Sequence, residues 1–164
     1  MGRAWFGYAG GTIIVLKDEK IQRVFPADDS PVGSVKAIGG RGRHIWVGGD
    51  SGLAFVDGNS FRRIVPADAG TFESVMGVEE TSNGSLWLAE RRVVIEIAAT
   101  EIQHAMGDPS YHVKYRIFDS FDGLPGTFAG VVFNSRVIQA TDGKLWFGAS
   151  GGIDVVPKAV LPAN

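Results

Sequence analysis

The chain has 164 residues, enough for one ordinary domain with a sizeable core. With 45% apolar residues, a formal net charge of −2 and no block of like charges, the composition supports neither a nucleic-acid nor an anionic-membrane footprint. The absence of cysteine excludes a disulfide framework, a thiolate nucleophile and a Cys-type metal site, and no apolar run approaches the ~18 residues that span a bilayer.

From the N-terminus, "RAWFG" (3–7) reads as a strand around Trp5, followed by a glycine turn "YAGG" (8–11) and a strand "TIIVL" (12–16). The next unit is legible in full: strands "SVKAI" (34–38), "HIWVG" (44–48), "GLAFVD" (52–57) and "FRRIV" (61–65), with turns "GRGR" (40–43), "GDSG" (49–52) and "DGN" (57–59) between them. A third unit follows, with "SNGS" (82–85) turning into "LWLA" (86–89) and then "VVIEI" (93–97). "ATEIQHAMGDP" (99–109) predicts a short helix over 99–107, with Thr100 as N-cap, Gln103 as its capping-box partner, and Gly107 and Pro109 ending it. "HVKYRIF" (112–118) reads as the fourth strand of that unit, and "DSFDGLPGTF" (119–128) as a long loop. "VVFNSRVIQA" (131–140), the turn "TDGK" (141–144), "LWFG" (145–148) and "IDVV" (153–156) complete the last unit.

Trp5, Trp46 and Trp87 are spaced 41 apart, and Trp146 follows after 59, which is the same period with the helical insertion added. The Trp strands are apolar on both alternating faces, so both faces are covered. Four short antiparallel strands per unit, repeated in phase, describe blades of a β-propeller; a β-sandwich would not repeat the Trp. The expected fold class is therefore all-β, a partial propeller of about 3.5 four-stranded blades with one short helix inserted near 99–107. Its parts are an incomplete blade 1–32, a blade 33–66, a blade with the helical insertion 73–118, an incomplete blade 129–157 and a tail 158–164. All four indoles are expected in the blade core. Gly7, Gly48, Ala89 and Gly148 occupy one equivalent place, either a turn entry or a point where neighbouring sheets come close. An arc of this size leaves end faces open, so the expected partners are further blades of a parent propeller or a second copy of the chain.

The histidines, His44, His104 and His112, have no metal-ligand spacing and read as surface or packing residues. The acid pairs Asp28-Asp29 and Glu79-Glu80 read as solvated loop or strand-end charges. Ser150-Gly151-Gly152 lacks the helix that a nucleophile elbow needs. No catalytic residue, metal or cofactor is expected. The loops between second and third strands and between units carry Asp50, Glu90, Arg91, Phe121, Asp122 and Phe128. Aromatics beside Arg and carboxylates suit a sugar, with ring stacking and hydrogen bonds to hydroxyls, so these six are the candidate ligand-binding residues.

"ATDGKLWFGASGGIDVV" (140–156) resembles the two-component regulator propeller repeat; "SNGSLWLAERRVVIEI" (82–97) and "GRGRHIWVGGDSGLAFVD" (40–57) fit it more loosely, and "DSFDGLPG" (119–126) resembles the Asp-Gly-Leu-Pro element of the same proteins. "AERR" (89–92) departs from the small post-Trp turn, and "GRGRH" (40–44) lacks the usual acidic residue. The resemblance implies the C-terminal blades, ahead of a small β-sandwich, of the periplasmic sensor region of a hybrid two-component histidine kinase or a similar membrane-anchored receptor. It also implies a non-enzymatic module that binds an oligosaccharide or transmits a signal through dimerisation. Two other functions stay open: a propeller lyase resembling the streptogramin B lyases, against which no histidine occupies a top-loop position, and a structural scaffold for protein interactions.

Overall fold

Each Trp lies on a short strand that pairs antiparallel with the strand after it in the computed structural model, which describes residues 2–68, 70–124, 137–149 and 152–156. Strands β1 (Arg3–Gly7), β2 (Ile13–Lys17) and β3 (Lys20–Phe25) form the first sheet. β4 (Val35–Gly39), β5 (Trp46–Gly49), β6 (Gly52–Asp57) and β7 (Ser60–Pro66) form the second in simple succession. β8 (Gly77–Glu80), β9 (Leu86–Ala89) and β10 (Val94–Ile97) begin the third. Helix α1 (Ala99–Gly107), β11 (His112–Val113) and β12 (Arg116–Phe118) follow, and β12 closes the third sheet against β10. β13 (Val137–Gln139), β14 (Leu145–Ala149) and β15 (Gly152–Val156) make the fourth. The all-β architecture with one helix is thus as expected.

Two local expectations are corrected. "HVKYRIF" is not one strand. His112 and Val113 pair parallel with Val65 and Pro66 of β7, while Arg116–Phe118 pairs antiparallel with β10, so the segment joins two sheets. Thr100 does not cap α1: the N-cap is Ala98, without a side-chain hydrogen bond. The first-turn acid Glu101 instead accepts from the Tyr111 hydroxyl at 2.9 Å and the Lys114 amide at 2.7 Å, tying the helix to the strand that follows.

The turns into the Trp strands are locked by side chains. Asn83 Oδ1 accepts the Ser85 amide and Asp142 Oδ1 the Lys144 amide, each at 3.1 Å. The glycines beside them, Gly84 and Gly143, take φ of 86° and 83°, a backbone region that costs other residues energy.

Three apolar clusters lie between successive sheets. Ile13, Val15 and Phe25 meet Val35, Val47 and Ala54. Trp46, Leu53, Phe55 and Ile64 meet Val78, Leu86, Leu88 and Ile95, joined by Ile102 and Ala105 of α1. Trp87, Ala89 and Val94 meet Val137, Leu145 and Phe147. The strand registers place every indole on the face that looks toward the next sheet in the chain. Trp46 is wholly buried and Trp87 is 2% exposed. Trp5 is half-buried, stacked on Phe25 with centroids 6.3 Å apart. Trp146 corrects the expectation of four core indoles: it is 39% exposed. Its face of the last sheet, with Ile138, Ile153 and Val155, has no next sheet among the described residues. The opposite face of the first sheet is open in the same way, exposing Phe6, Ile21 and Val24.

Close approach explains the small residue at two of the four equivalent positions, Gly7 and Gly48. A Cβ on Gly7 would lie 2.3 Å from Val35 Cγ1, and one on Gly48 2.5 Å from Val75 Cγ1; one on Gly148 would meet nothing within 4 Å among the described residues. We therefore expect Gly48→Ala to lower stability by about 1–3 kcal/mol through overpacking and Gly148→Ala to change it by less than about 0.5 kcal/mol. Urea unfolding of the two variants checks the difference, and equal losses would contradict it.

A long-range bridge spans non-adjacent sheets. Arg41, in the turn after β4, donates from Nε to the Glu80 carbonyl at 3.0 Å and from Nη2 to Gln139 Oε1 of the fourth sheet at 3.2 Å. Gln139 Oε1 also accepts the Ser82 amide at 2.9 Å.

Candidate functional site

The turns β1–β2, β5–β6 and β9–β10 lie at one end of the strands, with the connections between sheets. There, where the second and third sheets meet, the fold gathers three of the six candidate residues. Asp50 forms an ion pair with Lys36 at 2.5 Å, and Lys36 Nζ also donates to Ser74 Oγ at 2.8 Å. The Lys36 hydrogen bond, helped by Ser34, holds the Asp50 carboxyl below the usual range, and the charge of Arg91 adds to the effect. The Asp50 carbonyl accepts the amide of Ser74, a residue held at φ 53°. One residue back, the Glu73 amide donates to Glu90 Oε1 at 3.0 Å. A continuous run of contacts therefore links Asp50, Ser74, Glu73 and Glu90.

Glu90 is the unusual group of this rim. Burial pushes its carboxyl up to about 7, the Glu73 amide opposes that rise, and the Glu73 carboxylate reinforces it. Tyr115 stands nearby: its hydroxyl donates to Asp68 Oδ2 at 2.7 Å, and that bond raises its phenol. Its ring packs edge-on to buried Phe72, with centroids 5.5 Å apart. A carboxyl that titrates near neutrality, close to a phenol and linked through Glu73 and Ser74 to the Asp50–Lys36 pair, offers both donors and acceptors to a polyhydroxylated ligand.

The other three candidates lie elsewhere. Phe121, 97% exposed, and Asp122 sit on a single 3-10 turn, Ser120–Asp122. The Asp122 carboxylate is occupied within that turn: it accepts the Asp119 amide at 3.0 Å, while Asp119 accepts the Phe121 amide at 2.8 Å. Phe128 lies outside the described residues. Lys36, Ser74 and Tyr115 were not foreseen as rim residues, although Lys36 is the single charged residue of its strand, a signal that was available.

The raised carboxyl has a measurable consequence. A carboxyl that binds its proton more tightly when folded than when unfolded makes stability fall as pH rises. For Glu90 the fall begins near the ordinary carboxylate range, around 4.5, and is complete above about 7. Glu90→Gln should flatten that part of the profile and gain on the order of 1–2 kcal/mol at pH 8, discounted for partial solvent screening. Thermal melts of both proteins from pH 5 to 8 test this; parallel profiles would show that Glu90 is not the group responsible.

No family model and no curated protein sequence matches the chain. Solved structures do. One is described as the extracellular domain of a hybrid two component system from B. thetaiotaomicron (TM-score 0.66, 18% identity, 93% of this chain and 20% of that one). Another is described as the extracellular domain of a one component system of the same organism (TM-score 0.70, 18% identity, 94% of this chain and 22% of that one). The chain has the fold of part of these extracellular domains. It spans about a fifth of the length of each. The likeness agrees with the family resemblance of the Trp repeats, and among the described residues no helix is long and apolar enough to cross a membrane.

Proposed function

We propose that this chain is a non-enzymatic sensing module: an arc of propeller blades in the periplasmic part of a membrane-anchored, two-component-type receptor, such as a hybrid histidine kinase. The observation that carries the propeller reading is the Arg41 bridge. Sheets stacked in parallel lie ~10 Å apart, so the second and fourth would stand ~20 Å apart. A side-chain contact of 3.2 Å between the turn after β4 and the end of β13 fits sheets that fan outward from a common axis. The similar solved structures, extracellular domains of a hybrid two component and a one component system, support the same reading.

In a fan of this kind, the rim of Asp50, Glu90 and Arg91 lies on the loop side, and an oligosaccharide is the ligand its mixed donors and acceptors suit. The open end faces imply the partners. The Trp146 face of the last sheet fits a surface like those that cover Trp46 and Trp87 here, supplied by further repeats of a longer chain or by a second copy.

The test is a thermal-shift panel of neutral and acidic oligosaccharides, repeated with Asp50→Ala and Arg91→Ala, alongside chromatography of each product mixture. A shift that the rim variants abolish, with the sugars recovered intact, supports a sensor. Turnover of any sugar would favour the lyase-type reading. No shift across the panel, with dimers forming through the end faces, would favour the scaffold.

A further inference from the structure

At the other end of β6, away from Asp50, the first two sheets leave a cleft of about 310 Å³. Arg3, Trp5, Gln22, Arg23 and Asn59 are among its lining residues. Arg23 is held in place: Nη1 donates to Asn59 Oδ1 at 2.5 Å, Nη2 donates to the Asn59 carbonyl at 2.6 Å, and the guanidinium sits 4.5 Å from the centroid of the Phe25 ring. Phe25 in turn backs Trp5, the two rings lying within 16° of parallel. One wall is thus a half-buried indole whose orientation is fixed by packing.

The cleft itself is lined by two cations, Arg3 and Arg23, and, among the described residues, by no acid. Register pairs Arg3 with Lys17 and Lys17 with Lys20, and places Arg23 opposite Val15, so all four cations share the face of Trp5. None of the four takes part in an ion pair among the described residues. Asp57, at the neighbouring turn, is engaged by Arg62 at 3.5 Å. Arg3, Lys17 and Lys20 are exposed. Asp18 and Glu19 occupy the turn between Lys17 and Lys20, so the excess of positive charge rests on Arg3 and Arg23 at the cleft.

We propose that this cleft binds a carboxylate carried on a six-membered ring, either a hexuronate or an aromatic acid. The indole takes the flat face of the ring. Arg3 takes the carboxylate, for which the planar guanidinium is suited, while Arg23, bound to Asn59 through both terminal nitrogens, adds its positive charge. The Gln22 amide and the Asn59 Nδ2 group, whose Oδ1 is held by Arg23, are placed for ring substituents, and the lysines draw the anion in. The site is separate from the Asp50–Glu90 rim and does not depend on the reading of that rim.

The test follows the indole N–H resonance of Trp5, assigned through Trp5→Phe, during titration with D-glucuronate and with benzoate. D-glucose, acetate and inorganic phosphate serve as comparisons. A saturable shift with at least one ring acid is expected, about tenfold weaker with every comparison compound and about tenfold weaker in Arg3→Gln, the loss of one charge-assisted contact. Saturation by glucuronate alone assigns a sugar acid, and saturation by benzoate alone an aromatic one. The proposal is overturned if neither ring acid shifts the resonance, if phosphate or acetate does so equally well, or if Arg3→Gln binds as tightly as the wild type. Arg3 is exposed at a strand start, so its replacement leaves the sheet intact, and the unshifted Trp46 resonance reports that directly.

Discussion

Trp46→Ala is expected to cost about 3–5 kcal/mol, while Trp146→Ala costs on the order of 1 kcal/mol in the same chain. The two indoles occupy equivalent places in the repeat, on strands written "IWVG" and "LWFG". Their surroundings differ. Trp46 has no exposed surface and packs between Phe55, at 5.5 Å between centroids, and the strands of the third sheet, so its removal leaves a cavity that rigid neighbours cannot fill. Trp146 keeps 39% of its surface in water. Because single domains are stable by only ~5–15 kcal/mol, the first variant should show a large fall in its urea midpoint and the second a small one. Comparable losses would mean that the last sheet is covered in solution, and a concentration-dependent loss for Trp146→Ala would identify the cover as a second copy.

Glu80→Ala is expected to cost about 3 kcal/mol, most of it the penalty of a buried donor without an acceptor. Glu80 is 7% exposed. Oε2 accepts the Trp46 indole N–H at 2.7 Å, and Oε1 lies 2.8 Å from His44 Nδ1. Glu80→Gln keeps one carbonyl oxygen for two donors and should lose about 1 kcal/mol. The combination with Trp46→Phe is decisive. Phe carries no donor, so Glu80→Ala in that background should cost 1–2 kcal/mol less, roughly, than in the wild type. Strict additivity across the cycle would show that the hydrogen bond contributes nothing and that Glu80 acts only by filling space.

Glu80 also marks where the sequence ceases to be readable. Glu79-Glu80 looks like two solvated acids. On a strand, though, neighbours alternate, and register puts Glu80 on the face that meets Trp46 while Glu79 faces the other way. Which acid is buried depends on sheet-to-sheet packing, which local pattern does not contain. The helix was legible over 99–107 because Gly107 and Pro109 stop it, but its cap was not, since Glu101 finds partners thirteen and ten residues later. "HVKYRIF" has strand propensity throughout. Its division at Lys114-Tyr115 is made by long-range partners: the Val113 carbonyl accepts the Ala67 amide, and the Tyr115 hydroxyl reaches Asp68. The rim shows the same limit. Asp50 and Arg91 were readable from their places in turns, whereas Glu90 gains its character from burial. The four cations around Trp5 are scattered through positions 3 to 23 and converge only once the hairpin registers are known.

The divided segment has a mechanical consequence. His112–Val113 hydrogen-bonds along the outer edge of the second sheet, and three residues later the same chain seals the third. Pulling the polypeptide from its two ends would strip the first and last sheets early, each as a separate low-force event. The central pair is stitched together and would yield later, in one larger step. Severing the stitch with Val113→Pro, which removes an amide and a buried side chain, would split that step in two.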